Sequence, residues 1–102
     1  VEKINNQDGK LKIPHIGWND VALINKSHIC KSSDKDYYFV HSYHFKVKNE
    51  KYMTGVCNYG SNIASIVEKD NIFGTQFHPE KSHDAGLEII KNFIMFNYNA
   101  KK

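Results

Sequence analysis

The sequence predicts an α/β fold, a strand-rich sheet packed by one helix at the C-terminal end. Three observations carry that expectation. Short β-prone runs, rich in aromatic and branched residues and separated by turn signals, succeed one another from Val1 to Phe77. From about Asp84 the spacing of apolar residues becomes helical, with Leu87, Ile90 and Ile94 on one stripe and Ile89, Phe93 and Phe96 beside it. Between the two regimes stands Ile72-Phe73-Gly74-Thr75-Gln76-Phe77-His78-Pro79-Glu80-Lys81-Ser82, an apolar run that ends in polar residues. Such strand-to-helix junctions are where α/β proteins keep their sites. Five or six strands with a single helix is nevertheless an odd census for parallel strands, which need crossover helices. Either the sheet is mostly antiparallel or part of the fold is missing.

Taken in order, Val1 to Ile4 reads as a short strand and Asn5-Asn6-Gln7-Asp8-Gly9 as a turn with an Asp-Gly signal. Leu11 to Ile16 resumes and is interrupted by Pro14. Ile13 to Asn19 reads as a rigid, partly apolar loop, since Pro14 and Gly17 restrict and permit opposite regions of backbone space. Val21 to Ile24 is the next strand, and Lys26 to Lys35 a polar loop. Tyr37 to Phe45 is the most β-prone stretch, apolar at its start and polar in its middle, which suggests a buried strand emerging at a site around His41. Tyr52 to Tyr59 is a further strand, Gly60-Ser61-Asn62 a turn, and Ile63 to Glu68 with Ile72 to Phe77 a hairpin joined at Lys69-Asp70-Asn71. Ser82 or His83 is expected to cap the closing helix, with Asp84 suited to its N-terminal dipole and the broad face of Leu87, Ile90 and Ile94, flanked by Ile89, Phe93 and Phe96, laid on the sheet. Asn97 to Lys102 is expected to fray.

At 102 residues the chain is at most one domain, residues 1–102, and its 40% hydrophobic content is ordinary for a globular protein. No apolar run is long enough to span a membrane, and Val1 to Gly9 is too polar and acidic for a signal peptide, so a cytoplasmic location is expected. Net charge is +3, but all 14 basic residues are lysine and they are scattered among acids. Without a guanidinium fork there is little to read phosphate or bases, which argues against nucleic acid. Cys30 and Cys57 form neither a disulfide framework nor a zinc spacing, and Asn25-Lys26-Ser27 reads as a polar turn.

The chemistry concentrates at His78-Pro79-Glu80. Pro79 pushes His78 toward extended geometry. If Glu80 is extended too, the period of two puts both side chains on one side, where the carboxylate holds one imidazole nitrogen and leaves the other to a pocket. This is half of a nucleophile–His–acid triad. His41 and His44, three apart on a strand, point to opposite faces and do not share a metal ion. His15 and His28 read as ordinary loop histidines. Gly55-Val56-Cys57-Asn58-Tyr59-Gly60 imitates a nucleophile elbow but has Tyr59 where glycine is needed and no following helix, so Cys57 reads as a small strand residue. Cys30 has no activating context.

Phe73-Gly74-Thr75-Gln76-Phe77-His78-Pro79-Glu80-Lys81-Ser82 closely resembles the C-terminal signature of class I (triad) glutamine amidotransferases, in which the histidine and glutamate complete a Cys–His–Glu triad. Pro14-His15-Ile16-Gly17-Trp18-Asn19 and Tyr38-Phe39-Val40-His41-Ser42-Tyr43 look like the corresponding segments of the glutaminase subunit of imidazole glycerol phosphate synthase, in the same order and spacing, so the resemblance runs from Ile13 to Phe96. It implies the C-terminal portion of that fold, a mixed, largely parallel sheet flanked by helices. It also implies His78 and Glu80 as the catalytic pair, His41, Ser42 and Tyr43 in contact with glutamine, and no metal or organic cofactor. Trp18, Tyr38 and Lys81 would face a cyclase or synthase subunit that accepts the ammonia. In the family the nucleophilic cysteine and the oxyanion strand lie upstream, and neither motif occurs here. The chain is therefore expected to lack the nucleophile-bearing N-terminal half and to be inactive by itself. The alternatives are an amidotransferase paralogue for surface-glycan sugars, or a non-catalytic interaction module docking on a synthase.

Overall fold

Alternating inward and outward side chains along residues 15–23 build the strand that ties together the two parts of a five-stranded sheet. The strands are β1 (Glu2–Lys3), β2 (His15–Leu23), β3 (Lys35–His41), β4 (Tyr43–His44), β5 (Met53–Tyr59), β6 (Ser61–Lys69) and β7 (Ile72–Thr75), and helix α1 (His83–Ala100) closes the chain. Short 3-10 turns at Glu50–Tyr52 and Pro79–Lys81 precede β5 and α1. The computed structural model describes residues 2–3, 15–44, 47–59 and 61–100, with side chains from 15 to 96 within those ranges. The expected turn at Asn5 to Gly9, the run from Leu11 to Pro14, and Phe45 and Gly60 lie outside the described residues, as do the side chains beyond Phe96, where fraying is expected from the sequence.

The sheet runs β3-β2-β5-β6-β7, with β1 on β4 apart from it, and every pairing among the described strands is antiparallel. The strand-rich α/β arrangement with its C-terminal helix is as expected. The parallel pairs of a mixed sheet do not occur among the described residues, because one residue separates β5 from β6 and two separate β6 from β7, too few for the crossover that a parallel pair needs. Asp70 closes the second of these connections at φ 56, a left-handed conformation that aspartate tolerates.

Where it is described, from His15 to Asn19, the expected loop is instead the first half of β2. His15 pairs with His41, Ile16 with Val40 and Trp18 with Tyr38. Gly17 takes φ 133 without leaving the ladder, a conformation that only glycine adopts readily, so the residue that suggested a loop lets the strand continue.

The expected polar loop after β2 is also half correct. Ser27, Ile29 and Cys30 are buried around the carboxylate of Glu68 on β6. Glu68 accepts the Ser27 hydroxyl at 2.5 Å, the Thr54 hydroxyl at 2.8 Å and the His28 backbone N–H at 2.9 Å, while Ser27 Oγ accepts the N–H groups of Ile29 and Cys30. A buried carboxylate with its lone pairs filled thus folds the loop onto the sheet.

Val21, Tyr37, Phe39, Cys57, Ile66 and Phe77 form the core with Ile29 and Ile89. The helix meets that core along Ala85, Ile89, Asn92 and Phe96. Asn92 donates to the Ile29 carbonyl at 2.9 Å, and Phe93 and Phe96 set their rings edge-on to Phe73. The expected broad face is only partly laid on the sheet: Ile89, Phe93 and Phe96 meet the core or Phe73, and half-buried Ile90 lines a cavity with Ile29 and Phe73, but Leu87 is 59% and Ile94 58% exposed. Apolar residues occupy most of the helix circumference, and the short strand β7 and the 24–34 loop can cover only one side of it. No helix among the described residues is long and apolar enough to cross a membrane.

The two sides of α1 should respond differently to truncation. Ile89→Ala is expected to cost about 2–5 kcal/mol of stability, whereas Leu87→Gln and Ile94→Gln should each stay within about 0.5 kcal/mol. Urea titrations of the three variants would settle it, and comparable losses at all three positions would place the outer stripe in the core.

Candidate active site

The segment after β7 bridges β6 and the edge strand β3 within three residues. The Gln76 N–H donates to the Ser65 carbonyl on β6 at 2.9 Å, and the His78 N–H donates to the Tyr38 carbonyl on β3 at 2.9 Å. Between them Phe77 buries its ring on Tyr37, centroid to centroid 4.2 Å. Tyr38 has its other backbone group satisfied from the same segment, since Ser82 Oγ accepts the Tyr38 N–H at 2.9 Å and donates its own proton to the His78 carbonyl at 2.6 Å. Ser82 was expected as a helix cap. Its buried hydroxyl turns instead to the edge of β3, and the helix begins with the Gly86 N–H on the Ser82 carbonyl at 3.1 Å. A Cβ at Gly86 would stand 1.9 Å from the Pro79 carbonyl oxygen, so the 3-10 turn and the helix touch backbone to backbone. Sequence reading assigns Ser82 only a capping role and leaves Gly86 without one. The signal was there, in a serine and a glycine four residues apart directly behind a proline turn.

This anchored turn carries His78 and Glu80. His78 is extended, at φ −96 and ψ 101, as the following proline requires. Glu80 is not extended but lies in the 3-10 turn, and its Oε2 still reaches His78 Nδ1 at 3.3 Å. Their side chains are 40% and 58% exposed. The backbone N–H of Glu80 itself holds its carboxyl below the usual range, with His78 and then Lys81 adding to the effect. With Nδ1 on the carboxylate, Nε2 is the nitrogen left to face a reacting group. The pair lies on an open face, and neither residue lines the 180 Å³ cavity under Pro79 or the 340 Å³ cavity around Lys26, Tyr52 and Glu68.

Along β3, His41 lies three residues beyond the point where His78 docks. Its pKa is lowered, first by burial, with the Tyr43 carbonyl opposing and the positive forms of His44 and His78 reinforcing the shift. Both of its ring nitrogens are engaged, Nε2 with His15 Nδ1 at 2.8 Å and Nδ1 with the Tyr43 carbonyl at 2.9 Å. Ser42 forms the bend that follows, and Tyr43 is 55% exposed. His15 is no loop histidine: it is 3% exposed and sandwiched between Tyr59, at 3.8 Å, and Phe39, at 4.8 Å. Burial, then the neighbouring His41, brings its pKa down to about 4. Reading Pro14 and Gly17 as loop markers hid it, whereas the alternation from His15 to Val21 would have put it inside.

Trp18 and Tyr38 are cross-strand partners with rings edge to face at 5.7 Å, and Trp18 also stacks on His83 at 5.0 Å while 47% exposed. Lys81 is exposed at the end of the Pro79–Lys81 turn. His28 is exposed, its ring 5.0 Å from Phe96 and away from this site.

Residues 2–96 match the family described as glutamine amidotransferase class-I. The chain belongs to that family. It is 49% identical over 96 residues to the imidazole glycerol phosphate synthase subunit HisH of Pelagibacter ubique, an alignment covering 92% of this chain and 46% of that protein. With the same subunit from Acinetobacter baylyi it shares 46% identity over 92 residues, 87% of this chain and 45% of the relative. With that of Neisseria meningitidis serogroup B it shares 49% over 90 residues, 86% and 42% of the two chains. The chain thus spans a little under half the length of the curated relatives it matches.

Neither described cysteine of this amidotransferase chain has the setting of an activated thiolate. Cys57 is 1% exposed in β5, and burial, with the charge of Asp20, pushes its thiol up to about 11. Cys30 is buried with its Sγ 3.5 Å from the Tyr37 hydroxyl.

A pH dependence of stability follows from His15. Its folded pKa of about 4 lies below the ordinary 6.5, so between those values the unfolded chain binds more protons than the folded one. Stability is therefore full above pH 6.5 and falls as the pH drops toward 4, by on the order of 3 kcal/mol for this group. His15→Phe, which keeps a ring between Phe39 and Tyr59, should flatten that part of the profile in denaturant titrations between pH 7.5 and 4.5. A variant as acid-sensitive as the parent would remove His15 as the cause.

Proposed function

We propose that this chain supplies the His78–Glu80 part of a Cys–His–Glu triad in a glutamine amidotransferase that hydrolyses glutamine and passes the ammonia to a partner synthase. The observation that carries the reading is the 3.3 Å contact between His78 Nδ1 and Glu80 Oε2, made on a turn whose backbone is tied to β3 by Ser82. The names of its relatives favour imidazole glycerol phosphate synthase, in histidine biosynthesis, as the assembly served. In this reading the protein works in the cytoplasm as the glutaminase half of a heterodimer.

A cysteine thiolate contributed by a nucleophile-bearing segment, outside residues 1–102, attacks the side-chain carboxamide carbon of glutamine. His78 Nε2 delivers a proton to the departing nitrogen, so that ammonia leaves and a thioester remains. The same nitrogen then takes a proton from water, whose oxygen attacks the thioester and releases glutamate and the thiolate. Glu80 holds the ring in the tautomer that keeps Nε2 available and stabilises the imidazolium. Ser42 and Tyr43 contact the glutamine. His41 does so through its backbone, because both of its ring nitrogens are occupied. The chain alone has no glutaminase activity, since His78 and Glu80 have no thiolate to activate.

Assembling the chain with the nucleophile-bearing segment of one of its relatives would test this directly. Ammonia release from glutamine should appear on assembly. It should vanish with His78→Ala and fall by about 10²–10⁴ with Glu80→Gln, by analogy with loss of the orienting acid in a serine triad. Parental rates in either variant would make the pair structural, and activity in the unassembled chain that Cys57→Ala abolished would overturn the assignment of the nucleophile.

Trp18, Tyr38 and Lys81 are assigned to the synthase face. The half-exposed indole of Trp18 and the exposed Ile16 and Val40 make an apolar patch on the outer side of β2 and β3, beside the docked His78 turn. Trp18→Ala in the assembled enzyme should weaken synthase binding by about 2 kcal/mol, as loss of a buried aromatic anchor does, and Lys81→Ala should lower synthase-stimulated ammonia release with little loss of affinity. Calorimetric titration of synthase would decide it: unchanged affinity with a lowered melting temperature for Trp18→Ala would make the indole a packing residue of this chain.

A further inference from the structure

We propose that His15 is a positioning residue for the glutamine site: through a directed chain of hydrogen bonds it holds His41 in one tautomer and thereby fixes the bend at Ser42 and Tyr43. The inference rests on the reading above, in which that bend contacts glutamine.

The direction of the chain is forced from both ends. The Asp20 backbone N–H can only donate, and it meets Asn19 Oδ1 at 3.0 Å, which turns the amide nitrogen of Asn19 toward His15 Nε2, 3.4 Å away. An NH₂ group can only donate, so His15 Nε2 carries a lone pair and the ring proton is on Nδ1. That proton points at His41 Nε2 across 2.8 Å, which must therefore accept. The remaining proton of His41 is on Nδ1, 2.9 Å from the Tyr43 carbonyl, a group that can only accept. An added proton on either ring would set N–H against N–H. The rings of Tyr59 and Phe39 close both faces of His15, so it cannot swing to another partner. Desolvation of both rings favours the neutral pair. The groups facing the pair are Tyr59 on His15 and the positive forms of His44 and His78 on His41.

A histidine kept only for packing would need no such sequence of donors. This one ends on the carbonyl of Tyr43, so that the His41 ring closes over Ser42 and pins the bend between β3 and β4. If the donor at His15 is removed, His41 Nε2 faces an apolar ring, the tautomer is no longer selected, and the bend loses the tie that sets its backbone.

The tautomers are read by long-range ¹H–¹⁵N correlation of histidine rings in this chain at pH 7, and the bend by amide hydrogen exchange at Ser42, Tyr43 and His44. Both His15 and His41 should carry their proton on Nδ1. In His15→Phe the His41 signals should report both tautomers and exchange at the bend should rise about tenfold, the equivalent of one hydrogen bond; His15→Gln, whose amide can donate, should restore part of the protection. An Nε2–H form of His41 in the parent chain, or unchanged exchange at the bend in His15→Phe, would overturn the proposal. In the assembled enzyme His15→Phe should raise KM for glutamine about tenfold with kcat within about twofold. An unchanged KM in an active enzyme would remove the positioning role and leave the amidotransferase reading standing. No ammonia release from an assembled enzyme whose tautomers are as described would sink that reading, and the glutamine site with it.

Discussion

The structure depends on a side chain taking the place of a strand. At the open edge of β3, Tyr38 would present an unpaired N–H and C=O to solvent, and the chain fills both from one short segment, the N–H with Ser82 Oγ and the C=O with the His78 N–H. The edge strand β3 is thereby tied to β6, since Gln76, two residues earlier, still pairs with β6. Everything proposed to do chemistry hangs from this tie. His78 is extended because Pro79 follows it, Glu80 reaches it because the 3-10 turn curls back, and His41 sits nearby because it is further along the strand that receives them.

Sequence patterning is informative where one period acts alone. The hairpin of β6 and β7, the aromatic strand β3, the strand reading of Cys57 and the onset of the helix all follow from local composition, and the structure has them. It misleads where a residue has two uses. Gly17 signals a break in isolation, yet opposite β3 its positive φ is absorbed within a ladder. The 24–34 loop is polar by composition, but its hydroxyls and amides are spent on Glu68, forty residues away and invisible to any local window. Helix α1 is apolar over so much of its circumference that periodicity cannot say how much of the broad face is covered, and Ile89 is buried while Leu87 and Ile94 stand in solvent.

The candidate site was legible in part for a similar reason. His78-Pro79-Glu80 is contiguous and its chemistry can be read from three letters. The His15–His41 pair is assembled by cross-strand register, which exists only once β2 and β3 are paired. Ser82 looked like a helix cap because serine at a helix start usually is one; the edge of β3 competes for the same hydroxyl and takes it.

The close approach at Gly86 has a consequence for how the molecule comes apart. With the glycine backbone pressed on the Pro79 carbonyl and its N–H on Ser82, helix α1 cannot lift from the sheet without dragging the turn that carries His78 and Glu80. Partial opening at the C-terminal end and loss of the histidine–glutamate geometry are then one event in a single cooperative unit, and the exposed apolar stripe of the helix gives any protein that covers it a direct hold on that unit.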